Sequence, residues 1–424
     1  MKIAVIGGGS TYTPELIEGF ARRAGVLAVD ELVLQDVSAD RLDVVGGLAR
    51  RILAAQEFPG RLVTTTSLES AVDGAVAVLV QLRVGGQQAR LVDETLPGRF
   101  GLLGQETTGP GGFAKALRTV PVVLDIADTV AKLARPDAWI VDFTNPVGIV
   151  TRALLDAGHR AVGLCNSAIG FQRRLAAIFG VEPDRVRLDH AGLNHLTWIR
   201  KVVVDGVDRL PELLDSPALV EVAADTGLPP DLLRTLRAIP SYYLHYFYCT
   251  DEAVRAQASG PQRAEEVLEI ERTLLAMYAD PALDHKPALL EQRGGAYYSE
   301  AAAALVTSLL TGDGAHHYVD VRNDGTIAGL PAEAVVEVPA LVDTAGPHPV
   351  PVDPLPPEML GLVQAVTGYE VLTIGAARTG DRGTALRALL ANPLVRQWDL
   401  AVPLLDALLA ANSRHLPRFF AAES

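Results

Sequence analysis

Only two of the 424 residues are cysteine, Cys165 and Cys249, so at most one disulfide can form and a disulfide-built scaffold is excluded. In a reducing compartment each is a free thiol, available as a small core side chain or as a functional group. Aromatic residues are equally sparse, at 5% of the chain with 3 tryptophans, so any local concentration of them stands out. Positive charge is short as well: 37 Lys and Arg face 51 Asp and Glu, for a formal charge of −14. Nucleic acid and anionic membranes are therefore not expected partners, although a local basic pocket remains compatible with a phosphorylated small molecule. No uninterrupted apolar run reaches the roughly 18 residues of a membrane span. The chain enters a strand pattern at Lys2, with no apolar secretory leader ahead of it. These absences lead to the expectation of a cytoplasmic protein. What is present is core: 49% hydrophobic residues, 21% charged residues and a mean hydropathy of +0.22 exclude disorder as the main state. The length suffices for two domains.

The first part of the chain alternates short apolar or β-branched runs with helical spacing. Strands are expected at 2–6, 31–35, 76–82, 138–143 and 161–164, and helices at 14–24, 39–55, 114–134 and 146–157. Such alternation implies parallel pairing through right-handed crossovers, hence a doubly wound α/β sheet. Thr13 is a candidate cap for the first helix, with Pro14 suited to its first position. Beyond residue 166 the alternation fades into an α+β pattern. There, a strand over Leu196–Asp205 should run into an Asp205-Gly206 turn, and Arg263–Tyr278 should form an amphipathic helix. The proline-dense stretch Pro339–Pro357 reads as a surface connection. The expected division is 1–165 and 166–424.

Directly after the first strand comes Gly7-Gly8-Gly9-Ser10-Thr11-Tyr12. Glycines at a strand-to-helix turn admit a pyrophosphate close to the backbone, and the helix start supplies free N–H groups. The second strand ends at Asp36, where a carboxylate can accept from ribose hydroxyls and repel a 2′-phosphate, which favours NAD over NADP. Tyr12 stands where the six-residue fingerprint would have its third glycine, so the match is partial.

Cys165 follows the apolar run Ala161–Leu164 at the carboxyl end of a strand, and His195 lies thirty residues on, in Gly192-Leu193-Asn194-His195. A thiolate and an imidazole can hold a divalent transition metal, with substrate oxygens and water completing the shell; a buried thiol and a hydrogen-bonded scaffold histidine are the plainer alternative. Four of the chain's 10 tyrosines fall within Pro240–Tyr248. Such a run often serves as core or interface, but a tyrosine beside a cation can act as a general base, and Tyr243 is the candidate. Arg83, Arg90 and Arg293 each lie beside paired glycines and could hold an anionic substrate.

Six ordered motifs carry a resemblance: Val5–Leu16, Gly104-Gln105-Glu106-Thr107-Thr108-Gly109-Pro110-Gly111-Gly112, Asp142-Phe143-Thr144-Asn145-Pro146, Gly163-Leu164-Cys165-Asn166, Gly192–His195 and Arg293–Ser299. Together they resemble glycoside hydrolase family 4, and within it the 6-phospho-β-glucosidases, over residues 3 to about 330. The resemblance implies an N-terminal Rossmann-like domain related to lactate and malate dehydrogenases, a C-terminal α+β domain, bound NAD, and Mn²⁺ or another divalent metal on Cys165 and His195. It further implies oxidation at C3 of the sugar, loss of the C2 proton to Tyr243, elimination at C1, addition of water and re-reduction, a departure from two-carboxylate glycosidases. Asn145 and Asn166 would contact sugar hydroxyls, and Arg90 and Arg293 the substrate; Arg263 is a further substrate or structural candidate. Where the α-specific members commonly have Asp after the metal-binding Cys, this chain has Asn166, which points to β-linked substrates. Relatives often have a proline just after this point, where Ser167-Ala168-Ile169 stands here, and His245 replaces a common Arg. Homodimers or homotetramers are usual in the family. An ordinary NAD-dependent dehydrogenase, or a ligand sensor without catalysis, would share the nucleotide motif without needing Cys165.

Overall fold

The computed structural model describes residues 1–293 and 297–420; Gly294, Gly295 and Ala296, the middle of the Arg293–Ser299 motif, lie outside the described residues. Six strands make a parallel sheet: β1 (Lys2–Ile6), β2 (Glu31–Gln35), β3 (Arg61–Thr65), β4 (Ala77–Val80), β5 (Trp139–Asp142) and β6 (Ala161–Gly163). Their spatial order is 3-2-1-4-5-6, the dinucleotide-binding order, with its switch point between β1 and β4. The central strands read as unbroken apolar runs because helices cover both faces. Strand β3 was not expected, for a physical reason. It is an edge strand, exposed at Arg61 and only half-buried beyond, so it carries no apolar run.

The sheet continues past β6 with a change of direction. Strands β7 (Val186–Leu193), β8 (Leu196–Val204), β9 (Val207–Asp208), β10 (Ile239–Pro240), β11 (Ala315–Arg322), β12 (Val335–Asp343) and β13 (Gly346–Pro349) pair antiparallel. The order runs β6-β11-β12-β7-β8-β10, with β9 on β8 and β13 on β12, so one 13-stranded sheet crosses the molecule. The junction is narrow. Asp320 of β11 pairs with Gly163 of β6, and Glu337 of β12 pairs with Gly192 of β7.

Two expectations need correction. Thr13 does not cap the first helix, Thr13–Ala21: it is the first helical residue, and Tyr12 takes the cap position without a side-chain bond. The Thr13 hydroxyl instead donates to the Gly8 carbonyl at 2.9 Å and accepts from the Gln81 amide at 2.9 Å, locking the turn to the end of β4. The stretch from Pro339 is not a surface connection at its start. Residues 339–343 finish β12, a buried central strand, because Val335–Val338 and Ala340–Val342 supply the apolar faces, and Pro339 itself lies opposite Tyr318.

The last helices return to the parallel half. Pro357–Thr379 packs along Gly109–Leu133 and Arg382–Ala391, contributing Tyr369, Ile374, Ala376 and Ala377 to a core shared with Ala4, Val33 and Val78. By length and composition alone this helix could cross a membrane; here it packs one face against the core, with Glu370 buried, and leaves Val371 exposed on the other. Across the same interface Arg118 of Gly109–Leu133 meets Asp93 of Gly86–Thr95 in a two-pronged ion pair with no side-chain exposure on either partner. Arg118 also donates to Asn412 at 3.2 Å and to the Val84 carbonyl at 3.0 Å, so one guanidinium ties three segments together.

Candidate active site

The glycine turn leaves β1 with Gly7 at φ +85°, where an added Cβ would lie 2.7 Å from the Gln81 carbonyl oxygen. Only glycine meets both demands. The Gly7 and Gly8 N–H groups both donate to the Gln35 carbonyl, at 2.9 and 2.7 Å, and so bind the turn to the end of β2. Asp36 closes it: Oδ2 accepts from the Gly9 N–H and Oδ1 from the Ser38 N–H, each at 3.0 Å. Ser10 accepts from the Tyr12 N–H at 3.2 Å, and Arg41 donates to the Gly9 carbonyl at 2.8 Å.

Arg293 and Arg263 approach from the far half of the chain. The Arg293 guanidinium lies 4.6 Å above the Tyr12 ring and donates to Glu271 from Nη2 at 2.7 Å and Nε at 3.1 Å. Glu271 also accepts from Gln87 at 3.0 Å and from the Thr11 hydroxyl at 3.4 Å. Arg293 therefore belongs to the glycine-turn end of the site. Arg263 is exposed at the start of its helix, paired with Glu266 at 2.8 Å and donating to the Gln292 carbonyl at 2.8 Å.

At the other end Cys165 follows β6, 3% exposed. Burial pushes its thiol well above the ordinary range, and the Glu337 and Asp320 carboxylates push it further. A proton leaves such a sulfur readily only if another cation takes its place. His195 sits in the two-residue turn between β7 and β8 with φ +64°, in the left-handed region. Its Nδ1 is 3.1 Å from the Thr107 hydroxyl of the Gly104–Gly112 motif, which leaves Nε2 for another partner. Burial and the nearby Lys115 ammonium press the imidazole down to about 3, so it is neutral at physiological pH. Its ring stacks on Tyr243, centroids 3.6 Å apart and 14° from parallel. Tyr243 is pushed well above its ordinary value by burial, by Tyr242 and by Cys165; a nearby cation is what would bring it back down. Thus His195 packs on Tyr243, and Cys165 lies near enough to influence it.

The carboxyl ends of β5 and β6 bring two more groups. The Asn145 side-chain oxygen and the Ser167 hydroxyl are buried and have no hydrogen-bond partner among the described residues. Asn166 precedes the helix Ser167–Phe179, as its cap residue. A thiol, a neutral imidazole with one nitrogen left over, and unpaired neighbouring oxygens suit a transition metal with open coordination positions. Among the described residues no group of three or more His, Cys, Asp or Glu is placed to hold a metal ion.

Between the two ends lies a buried charge cluster that only partly drew notice in the sequence. Glu106 is gripped by Lys115 at 2.7 Å, by Arg90 Nε at 3.3 Å and by Arg83, and these cations hold its carboxyl well below the usual range against the upward push of burial. Arg90 spends Nε on Glu106 and on Glu94, at 2.7 Å, while its two Nη groups make no hydrogen bond among the described residues. Residues missed by sequence reasoning are Lys115, Asp320 and Glu337. The available signal was a lone charge inside an otherwise apolar run, as in Tyr318-Val319-Asp320-Val321 and Val335-Val336-Glu337-Val338.

A parallel sheet in dinucleotide-binding order, with a thiol and a neutral imidazole at its carboxyl edge, defines an enzyme of the nucleotide-binding α/β class. The sequence comparisons give the family. The model for "Family 4 glycosyl hydrolase" matches residues 2–181 and that for "Family 4 glycosyl hydrolase C-terminal domain" matches 190–395; the chain belongs to this family. It is 41% identical to a probable 6-phospho-beta-glucosidase of Bacillus subtilis, covering 99% of this chain and 98% of that one. A maltose-6′-phosphate glucosidase of the same organism is 27% identical over 98% of this chain and 96% of its own. Among solved structures, the 6-phospho-beta glucosidase of Thermotoga maritima with NAD and glucose-6-phosphate superposes with a TM-score of 0.92 at 36% identity, covering 98% of this chain and 99% of that one. A further structure of that protein, holding manganese, NAD⁺ and glucose-6-phosphate, has a TM-score of 0.91.

Proposed function

We propose that this chain hydrolyses 6-phospho-β-glucosides with NAD and a divalent metal, Mn²⁺ in the first instance. The observation that carries the reading is the His195–Tyr243 stack, with the Cys165 thiol near enough to act on the tyrosine: an imidazole, a phenol and a thiol brought together from three segments. In this reading residues 1–165 hold the nucleotide, through Gly7, Gly8, Gly9, Ser10, Thr11 and Asp36, and residues 166–424 share the sugar and metal groups with them, supplying Asn166, His195 and Tyr243. Cys165 and His195 hold the metal, Asn145 and Asn166 orient sugar hydroxyls, and the free Nη edge of Arg90 meets the substrate. Arg293 acts at the nucleotide end, and Arg263 supports its segment through Gln292. When bound, NAD supplies a reversible hydride acceptor and the metal a Lewis acid that stabilises charge on the sugar oxygens. Tyr243 then takes the C2 proton. A cytoplasmic location agrees with the two free thiols. A homodimer or homotetramer follows from the family resemblance and is read by sedimentation velocity.

The deciding experiment is a panel of phosphorylated and unphosphorylated α- and β-glucosides, each with and without NAD and Mn²⁺. Cleavage of p-nitrophenyl β-glucoside 6-phosphate that needs both cofactors, with no net NADH, is expected. Steady NADH accumulation without release of nitrophenol would instead mark an ordinary dehydrogenase. Tyr243→Phe should lower kcat by about 10²–10⁴-fold, the usual span for a lost general base; an unchanged kcat removes the tyrosine from this role.

Gly9→Ala offers a separate test of the nucleotide end. A methyl there would lie 2.8 Å from Asp36 Oδ2 and displace the carboxylate. The loss of one charge-assisted hydrogen bond, about 1.5–3 kcal/mol, should raise the Kd for NAD roughly ten- to a hundredfold. Equilibrium dialysis reads it, and an unaltered Kd would mean that Asp36 is not at the ribose.

A further inference from the structure

The narrow junction of the sheet is occupied by two carboxylates set opposite two glycines. Asp320 of β11 faces Gly163 of β6, where an added Cβ would come within 2.7 Å of the Asp320 Cβ. Glu337 of β12 pairs with Gly192 of β7, a glycine at φ +152°. Both acids are at most 1% exposed. Burial of two carboxylates side by side is costly, so each should have a specific partner.

Their common partner is Asn194. Its amide donates to Glu337 Oε2 at 2.9 Å and to Asp320 Oδ2 at 3.4 Å, and Asp320 pairs with Gly163, two residues before Cys165. The other Glu337 oxygen is 2.6 Å from His190 Nε2, which fixes the carboxylate from behind. Asn194 directly precedes His195, whose left-handed backbone at φ +64° is an unfavourable conformation for a non-glycine residue and must be held by its surroundings. One amide therefore ties the segment that leads to one candidate metal ligand, through Asp320 and Gly163, to the turn that presents the other.

We propose that Asn194, clamped by Glu337, is a positioning residue that sets the distance between Cys165 and His195 and so preorganises the metal centre. The inference rests on the reading of Cys165 and His195 as metal ligands. Partners that orient ligands in this way typically change metal affinity by about 10–100-fold when removed. Asn194→Ala should thus raise the Kd for Mn²⁺ about 10–100-fold, while the Kd for NAD stays as in the parent. Glu337→Leu should do the same, the double variant should be no worse than either single one, and Glu337→Gln, which keeps an acceptor for the amide, should recover most of the affinity.

The measurement is electron paramagnetic resonance of free Mn²⁺ titrated with each full-length variant, without substrate. Cys165→Ser is included so that the two readings fail separately. If the parent binds Mn²⁺, Cys165→Ser does not, and Asn194→Ala binds as the parent does, the positioning role is overturned while the metal site stands. If parent and Cys165→Ser are alike, both fall. Additive losses in the double variant also overturn the coupling. Asn194 is half-buried in a turn, so Asn194→Ala decides the matter even if Glu337→Leu does not fold.

Discussion

Cys165→Ser should lower turnover by about 10²–10³-fold or more, the several kcal/mol that Lewis-acid assistance contributes. The loss should not be restored by Mn²⁺, whereas parent enzyme stripped with EDTA should recover fully. The sulfur is buried, and both burial and the carboxylates of Glu337 and Asp320 resist its ionisation; under the proposed function a cation takes the place of the proton. A serine hydroxyl has nearly the same size but a far higher ordinary pKa, and gives up its proton to a Mn²⁺-like ion much less readily. Affinity for NAD should be almost unaffected, because no contact of the glycine turn passes through residue 165. Initial rates with and without added metal, alongside NAD binding, separate the two effects. Comparable rates for variant and parent would end the case for a thiolate ligand.

A second large effect is expected far from the chemistry. Arg118→Met should destabilise the protein by about 3–5 kcal/mol, since it strands the Asp93 carboxylate in a site with no side-chain exposure. The double variant Arg118→Met/Asp93→Leu should regain most of this, as apolar packing can replace a buried pair at little cost. The pH dependence has a definite sign. Burial, with Glu106, pushes Asp93 up while Arg118 and, more weakly, Lys115 pull it down; without Arg118 the upward push dominates further. A carboxyl whose folded pKa exceeds its unfolded value holds an extra proton in the folded state, so its contribution is intact at low pH and lost as pH rises. The deficit of Arg118→Met should therefore shrink toward pH 4 and deepen through neutrality. Thermal midpoints across that range provide the check, and a variant as stable as the parent at pH 7 would show that the pair holds nothing together.

The parallel half of the fold was legible because its central strands are buried on both faces: Ile3–Ile6, Leu32–Leu34 and Val78–Val80 are apolar without interruption, and Gly7–Gly9 mark where the first of them must turn. Helix 39–55 and helix 263–278 were equally plain from their spacing. The helix Gly86–Thr95 escaped notice because the side chains it buries include Gln87, Arg90, Asp93 and Glu94, so its inner face is polar and shows no apolar stripe. Pro339 misled for the opposite reason: proline suggests a loop, yet here it sits inside a buried strand whose other residues carry the packing. For the site, Cys165, His195 and Tyr243 could be singled out only by motif, since nothing in their spacing says that a turn between β7 and β8 meets the end of β6. Glu337 and Asp320 have no local motif and become meaningful only when the strand register sets them opposite Gly192 and Gly163.

The passage of the strand ladder from β6 into β11 has a mechanical corollary. Two halves joined by a flexible connector could open like a clamshell; here strand pairing between β6 and β11 carries one sheet through both. Hinge motion between them would have to bend or break that pairing, so changes of shape are left to the helices and loops around the sheet.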